Sequence, residues 1–202
     1  MKNKYTEIVQ ELSDREITFH LIATQVLLLV IALVIGFFWF DDFSSFWELF
    51  IWDDKKIWYV GVGAGLAIVA LDLLLMKMLP PSYYDDGGLN KRMFENRTVW
   101  QIAGIAAMVA VSEEILFRGV LQTHIGLVVT SVLFALIHYR YLFNKFLFVN
   151  ILLLSFLIGY IYMVTENLLV TIVLHFIVDF LLGLAVRYDK QPPHEQEGKI
   201  HE

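Results

Sequence analysis

The 202-residue chain is 58% hydrophobic and only 18% charged, with a mean hydropathy of +0.63, which excludes a soluble globular enzyme and points to one compact membrane domain. It contains no cysteine, so disulfide frameworks, thiolate nucleophiles and cysteine-bound zinc or iron–sulfur centres are excluded too. The net charge is −6 and no basic stripe with interleaved aromatics occurs, so nucleic acid is not an expected partner.

In chain order, residues 1–17 are polar and read as a cytoplasmic N-terminal segment forming a short interfacial helix. A single membrane domain, 18–187, follows, and 188–202 read as a polar cytoplasmic tail. The apolar run Thr18–Phe40 is too long for a signal-peptide core and lacks a small-residue cleavage site, so it is read as a retained first span. Further runs able to cross about 30 Å of hydrocarbon are Ile57–Leu79, Val99–Leu121, Ile125–Tyr141, Phe146–Met163 and Asn167–Arg187. The expected fold is therefore all-α, a polytopic transmembrane bundle of about six spans. Phe43–Trp52 is aromatic but short and bracketed by aspartates, which places it at the interface. The longest internal loop, 80–98, carries Pro-Pro and Gly-Gly as breakers. With six spans, Lys55, Lys56 and Arg118 fall on one side and the other twelve Lys and Arg residues on the opposite side. That asymmetry predicts a multi-pass protein of the cell membrane with both termini cytoplasmic.

Ionisable groups in hydrocarbon are costly, by about 2.5 kcal/mol or more each, so each needs a partner or a task. The third span carries Ser112-Glu113-Glu114-Ile115-Leu116-Phe117-Arg118. On a helix Glu114 and Arg118 share a face and can pair, whereas Glu113 is rotated by about 100° and is left available. The fourth span ends in Phe134-Ala-Leu-Ile-His138, and the sixth carries His175-Phe-Ile-Val-Asp179, again at i and i+4. One unpaired carboxylate, two imidazoles and a further acid from three helices suit peptide-bond hydrolysis. A carboxylate can take a proton from water, one histidine can hold that water, and another can stabilise an oxyanion.

With these residues the sequence resembles the CPBP family of CAAX proteases and bacteriocin-processing enzymes, the Abi-type intramembrane proteases. The resemblance rests on three ordered motifs, Glu113-Glu114-x-x-x-Arg118, Phe134-x-x-x-His138 and His175-x-x-x-Asp179, within residues 100–185. It implies that Glu113 is the general base, with His138 assisting, and that Glu114 and Arg118 form a supporting pair. It further implies that His175 and Asp179 line the oxyanion side, in a site between the third, fourth and sixth spans. Some members carry asparagine at the last position, and a carboxylate beside an oxyanion repels it unless protonated or turned toward His175.

A peptide or membrane protein is thus the expected substrate, within the lipid bilayer. Direct water activation by Glu113 is favoured and no cofactor or metal site is expected. Zinc remains the variant, disfavoured because there is no H-E-x-x-H helix. The alternative function is a non-enzymatic immunity or binding protein using the same polar cavity. A small transporter would need inverted repeats, which are not seen. Asp72, in the second span, could join the site or pair across to another helix, while His20 and His124 read as interfacial residues. One conflict stands in these boundaries: Glu113 falls in the outer half of its span and His138 at the cytoplasmic end of the next, about 10 Å apart in depth.

Overall fold

The computed structural model describes residues 11–188 and contains helices and turns, with no strand among the described residues. The predicted N-terminal segment up to residue 10 and the tail from 189 lie outside the described residues. The first long helix, α1 (Asp14–Trp39), starts earlier than its apolar run because Ser13 caps it. The Ser13 hydroxyl accepts from the Glu16 N–H, and the Glu16 carboxylate accepts from the Ser13 N–H at 2.8 Å. A short helix, α2 (Phe43–Trp47), occupies the aromatic segment after it, with the Asp42 carboxylate as its cap.

The next helix, α3 (Ile57–Met78), lies directly against the last one. A Cβ at Gly61 would stand 2.9 Å from the Val170 carbonyl oxygen, and one at Gly65 would stand 2.9 Å from Ile177. Small residues four apart let two helix backbones approach, a common device in membranes. The loop after α3 contains α4 (Leu89–Phe94) and is tied to the start of α1: Arg92 donates to the Leu12 carbonyl at 2.6 Å and Arg97 donates to the Thr18 hydroxyl.

Helical structure then runs over Val99–Ile137, but Gly126, at φ +81° and ψ 170°, breaks it into an outgoing leg, 99–125 (α5), and a return leg, 127–137 (α6). The reversal is fixed by side chains. The Phe117 and Phe134 rings meet at 4.9 Å, whereas 17 residues of straight helix would separate them by about 25 Å. Within α5, residues Ile115–Gln122 wind as a π-helix, a form concentrated at functional sites. A 3₁₀ turn, Tyr139–Phe143, leads into α7 (Lys145–Thr165), and α8 (Leu168–Tyr188) completes the bundle.

Two apolar clusters hold these helices together. Leu28 and Ala32 of α1 pack with Leu116, Phe117 and Val120 of α5 and with Phe134 of α6. Ile68 and Val69 of α3 pack with Ile158 and Ile161 of α7 and Val170, Leu174 and Val178 of α8. Among the described residues, five helical stretches are long and apolar enough to cross a membrane: Asp14–Trp39, Ile57–Met78, Val99–Ile137, Lys145–Thr165 and Leu168–Tyr188. The apolar side chains they turn outward, Phe37 at 80% exposure among them, are those a hydrocarbon environment would cover. The third and fourth predicted spans are thus the two legs of one interrupted stretch. At about 16 Å the return leg is half the thickness of the hydrocarbon core.

The interruption also removes the conflict in depth. The sequence places a span end at Leu121, but α5 continues to residue 125 before reversing. Glu113 then lies 13 residues before Gly126 and His138 lies 12 residues after it, so the two legs carry them to the same level.

Candidate active site

The site is assembled where α5 and α8 run antiparallel. Leu168 packs over Gly119, where a Cβ would lie 3.1 Å from the leucine side chain. From that contact, five residues back along α5 reach Glu114 and seven residues forward along α8 reach His175. The two side chains meet: His175 Nδ1 stands 2.8 Å from Glu114 Oε1. Glu114 is ionised beside the Arg118 guanidinium, and an ionised carboxylate can only accept, so Nδ1 carries the proton and donates.

Glu114 is shared. Its Oε1 also lies 3.4 Å from Arg118 Nη1, and both side chains are fully buried. The Arg118 guanidinium lies over the Phe134 ring, 4.8 Å from its centroid, and its Nη2 donates to the carbonyl and the hydroxyl of Ser155 on α7, each at 3.2 Å. The second imidazole nitrogen, His175 Nε2, faces two further acids. Asp179 Oδ2 is 3.5 Å away and Glu113 Oε2 is 4.0 Å away. Glu113 is buried and makes no hydrogen bond among the described residues. Its neighbour Ser112 is anchored to α1, the hydroxyl lying 2.5 Å from Gln25 Oε1.

His138 comes from the other leg. Its Nδ1 is bonded to the Phe134 carbonyl oxygen at 2.8 Å, which fixes the proton on Nδ1 and leaves Nε2 with a lone pair. The ring is stacked on Tyr141 with centroids 6.0 Å apart. No hydrogen bond joins His138 to Glu113, Glu114, His175 or Asp179 among the described residues. The structure therefore brings five of the six sequence-predicted residues into one contiguous cluster and places the sixth at the same level on the facing leg.

The remaining polar residues go elsewhere. Asp72 faces Asn150 of α7 at 3.5 Å, a cross-helix contact apart from the cluster. His124 sits between the carbonyls of Val120 and Trp39, at 2.7 and 3.0 Å. Sequence reasoning passed over Gln25, Ser155, Gln122 and Asn167. All four are buried, and each is an amide or hydroxyl in or beside an apolar run, the signal by which interhelical hydrogen bonding could have been sought. Among the described residues no three His, Asp or Glu side chains are arranged to hold a metal ion.

A model of the Rce1-like type II CAAX prenyl endopeptidases matches residues 95–181, which contain all six sequence-predicted positions. The chain is also 38% identical over 182 residues to the uncharacterized protein YpbD of Bacillus subtilis (strain 168), covering 89% of this chain and 96% of that protein. No solved structure matches. On these grounds the chain is an integral membrane protein that belongs to the Rce1-like family of type II CAAX prenyl endopeptidases, the CPBP family.

Proposed function

We propose that the protein is an intramembrane endopeptidase in which Glu113 activates water for attack on a peptide bond. The observation that carries this reading is the division of labour between adjacent carboxylates. Glu114 is engaged by Arg118 and by His175 Nδ1, while Glu113 is buried without a hydrogen-bond partner among the described residues. Burying a carboxylate beside an imidazole and leaving it unbonded has no packing rationale, and such groups mark sites of proton transfer.

In the proposed reaction the Glu113 carboxylate takes a proton from water as the water oxygen bonds to the scissile carbonyl carbon. The resulting oxyanion develops beside His175 Nε2, which in this reaction carries the second proton of the imidazolium and donates to it, with the Asp179 carboxylate turned toward the same ring. Collapse of the tetrahedral intermediate breaks the C–N bond, and the proton held by Glu113 passes to the departing amine. His138, with Nε2 available at the level of Glu113, holds the attacking water. Nδ1 of His175 is committed to Glu114, which fixes the ring so that Nε2 faces the reacting atoms.

The substrate is a peptide or membrane protein, and the CAAX endopeptidases of the family make prenylated C-terminal tails the first class to assay. Both termini lie in the cytoplasm when the return leg of Val99–Ile137 is counted as a pass, a topology supported by the distribution of Lys and Arg. Water activation is metal-free in this reading, and loss of activity with a chelator, restored by zinc, would overturn that part.

The test compares new protein N-termini in membranes expressing the wild-type chain or Glu113→Ala at matched levels. Termini found only with the wild type, accompanied by an unchanged melting temperature of the variant, are expected. Equal cleavage by both would overturn the assignment of Glu113.

A further inference from the structure

The guanidinium at the centre of the site is hydrogen-bonded from one residue only among the described residues. Of the Arg118 nitrogens, Nε and Nη1 are buried without a hydrogen-bond partner among the described residues, and so is Oε2 of Glu114. The Glu114–Arg118 contact, at 3.4 Å, is an electrostatic approach rather than a tight bidentate pair. Every hydrogen bond the guanidinium makes among the described residues goes to Ser155, through the hydroxyl and the carbonyl oxygen. Ser155 itself is 1% exposed and lies in the middle of α7.

The surrounding contacts repeat this arrangement one turn further on. Gln122, four residues after Arg118, donates its amide N–H to the carbonyl oxygen of Gly159, four residues after Ser155, at 2.7 Å. A Cβ at Gly159 would lie 2.6 Å from Gln122 Oε1 and 2.4 Å from Leu127. Further along, the Thr123 and Tyr162 hydroxyls meet at 3.1 Å. One face of α7 therefore reads the polar edge of α5 residue by residue, although α7 carries none of the three sequence motifs.

We propose that Ser155 is a positioning residue of the proteolytic site, acting through Arg118 on Glu114 and through Glu114 on the ring of His175. Its hydroxyl fixes the guanidinium. The guanidinium fixes Glu114 Oε1, and Oε1 orients His175 Nδ1, so that Nε2 faces Glu113. A serine that only filled space between helices would be replaceable by any residue of its volume. A positioning serine is replaceable only by one that keeps the oxygen. The proposal rests on the proteolytic reading above for its kinetic consequence, but the orientation of His175 is measurable without turnover.

The experiment uses Ser155→Thr and Ser155→Val, which add nearly the same bulk and differ in the hydroxyl, with Ser155→Ala as the cavity control. Cleavage kinetics, melting temperature and the ¹⁵N resonances of histidine-labelled full-length protein in detergent are measured for each. The expected result is a kcat about ten-fold lower in Ser155→Val and Ser155→Ala, with KM within about two-fold of wild type. Ser155→Thr should recover most of the rate, and the His175 Nδ1 resonance should move in the valine variant and not in the threonine variant. Equal rates and equal His175 spectra for Thr and Val would overturn the proposal. So would a valine variant whose only defect is failure to fold, which would assign Ser155 to packing. If the wild-type chain cleaves nothing, the protease reading fails while the Thr/Val difference at His175 still decides the positioning role.

Discussion

Two polar assemblies meet α8, one at its first turn and one in its middle, and they are built on opposite terms. At the first turn Asn167 is completely buried and satisfied. Its Oδ1 accepts from the N–H groups of Ile51 and Leu169, and its Nδ2 donates to the Ile51 carbonyl at 2.8 Å and to Asp54 at 3.3 Å. The Leu168 N–H donates to the Leu49 carbonyl at 2.8 Å beside it. In the middle, the Glu113–Glu114–Arg118–His175 group is also buried but leaves Glu114 Oε2 and two Arg118 nitrogens without hydrogen bonds among the described residues. Neutral, satisfied networks are what folding alone selects, and a buried group with polar capacity left over marks a place where something besides stability has shaped the residues. The first assembly is a clasp holding the loop of residues 48–54 to the α7–α8 turn. The second is the candidate machinery.

The difference predicts unequal responses to truncation. Replacing Arg118 with Met leaves the Glu114 charge buried with only His175 to meet it, and breaking a buried pair from one side typically costs about 3–5 kcal/mol. Thermal or denaturant unfolding in detergent should show this as the largest loss among single substitutions at either assembly. A loss below about 1 kcal/mol would mean that Glu114 is neutral in the folded protein. Asn167→Ala removes four hydrogen bonds at once but leaves only uncharged or solvent-reachable partners. It should cost about 2 kcal/mol while the cleavage rate per folded molecule stays within about two-fold of wild type. A large loss of rate without loss of stability would place the clasp in the machinery and erase the distinction.

The same contrast marks what could be read from the sequence. The apolar helices and the Glu114–Arg118 pair followed from hydropathy and i,i+4 spacing, because both are local properties of one helix, while the three motifs were recognised through the family resemblance. The choice that His175 makes was not local. Spacing pairs it with Asp179, and the structure does bring them to 3.5 Å, but the short hydrogen bond is to Glu114 from another helix. The end of α5 was misplaced for a related reason. Gln122, Thr123 and His124 look like the polar close of a span, yet Gln122 is bonded to the Gly159 carbonyl and Thr123 lies against the Tyr162 hydroxyl. Polar residues satisfied by a neighbouring helix do not end a helix. The true break is at Gly126, where φ is +81°, and a single glycine in an apolar run gives little sign of that. Gln25, Ser155 and Asn167 were passed over because their partners lie 87, 37 and 116 residues away in sequence.

The smallest expected effect separates the two assemblies by pH. Asp54 is at the rim of the clasp, outside the long helices. The Lys56 N–H, donating at 2.9 Å, holds its carboxyl below the ordinary value, with a smaller pull in the same direction from the Asn167 amide. A carboxyl held low in the folded protein binds its proton less readily than in the unfolded chain. Its contribution is therefore fully present above the ordinary value of about 4 and is lost as pH falls through the lower folded value. Protonated Asp54 accepts less strongly from both donors, so the clasp should loosen in acid. Hydrogen exchange at the Ile51 and Leu168 amides, corrected for the intrinsic rate, should show protection falling below about pH 4 in the wild type. In Asp54→Asn, which cannot ionise, protection should already be reduced at neutral pH and flat across the same range. Unchanged protection in the wild type would mean that the Asn167 hydrogen bonds to Ile51 hold the loop without help from the charge, leaving the clasp an entirely neutral device.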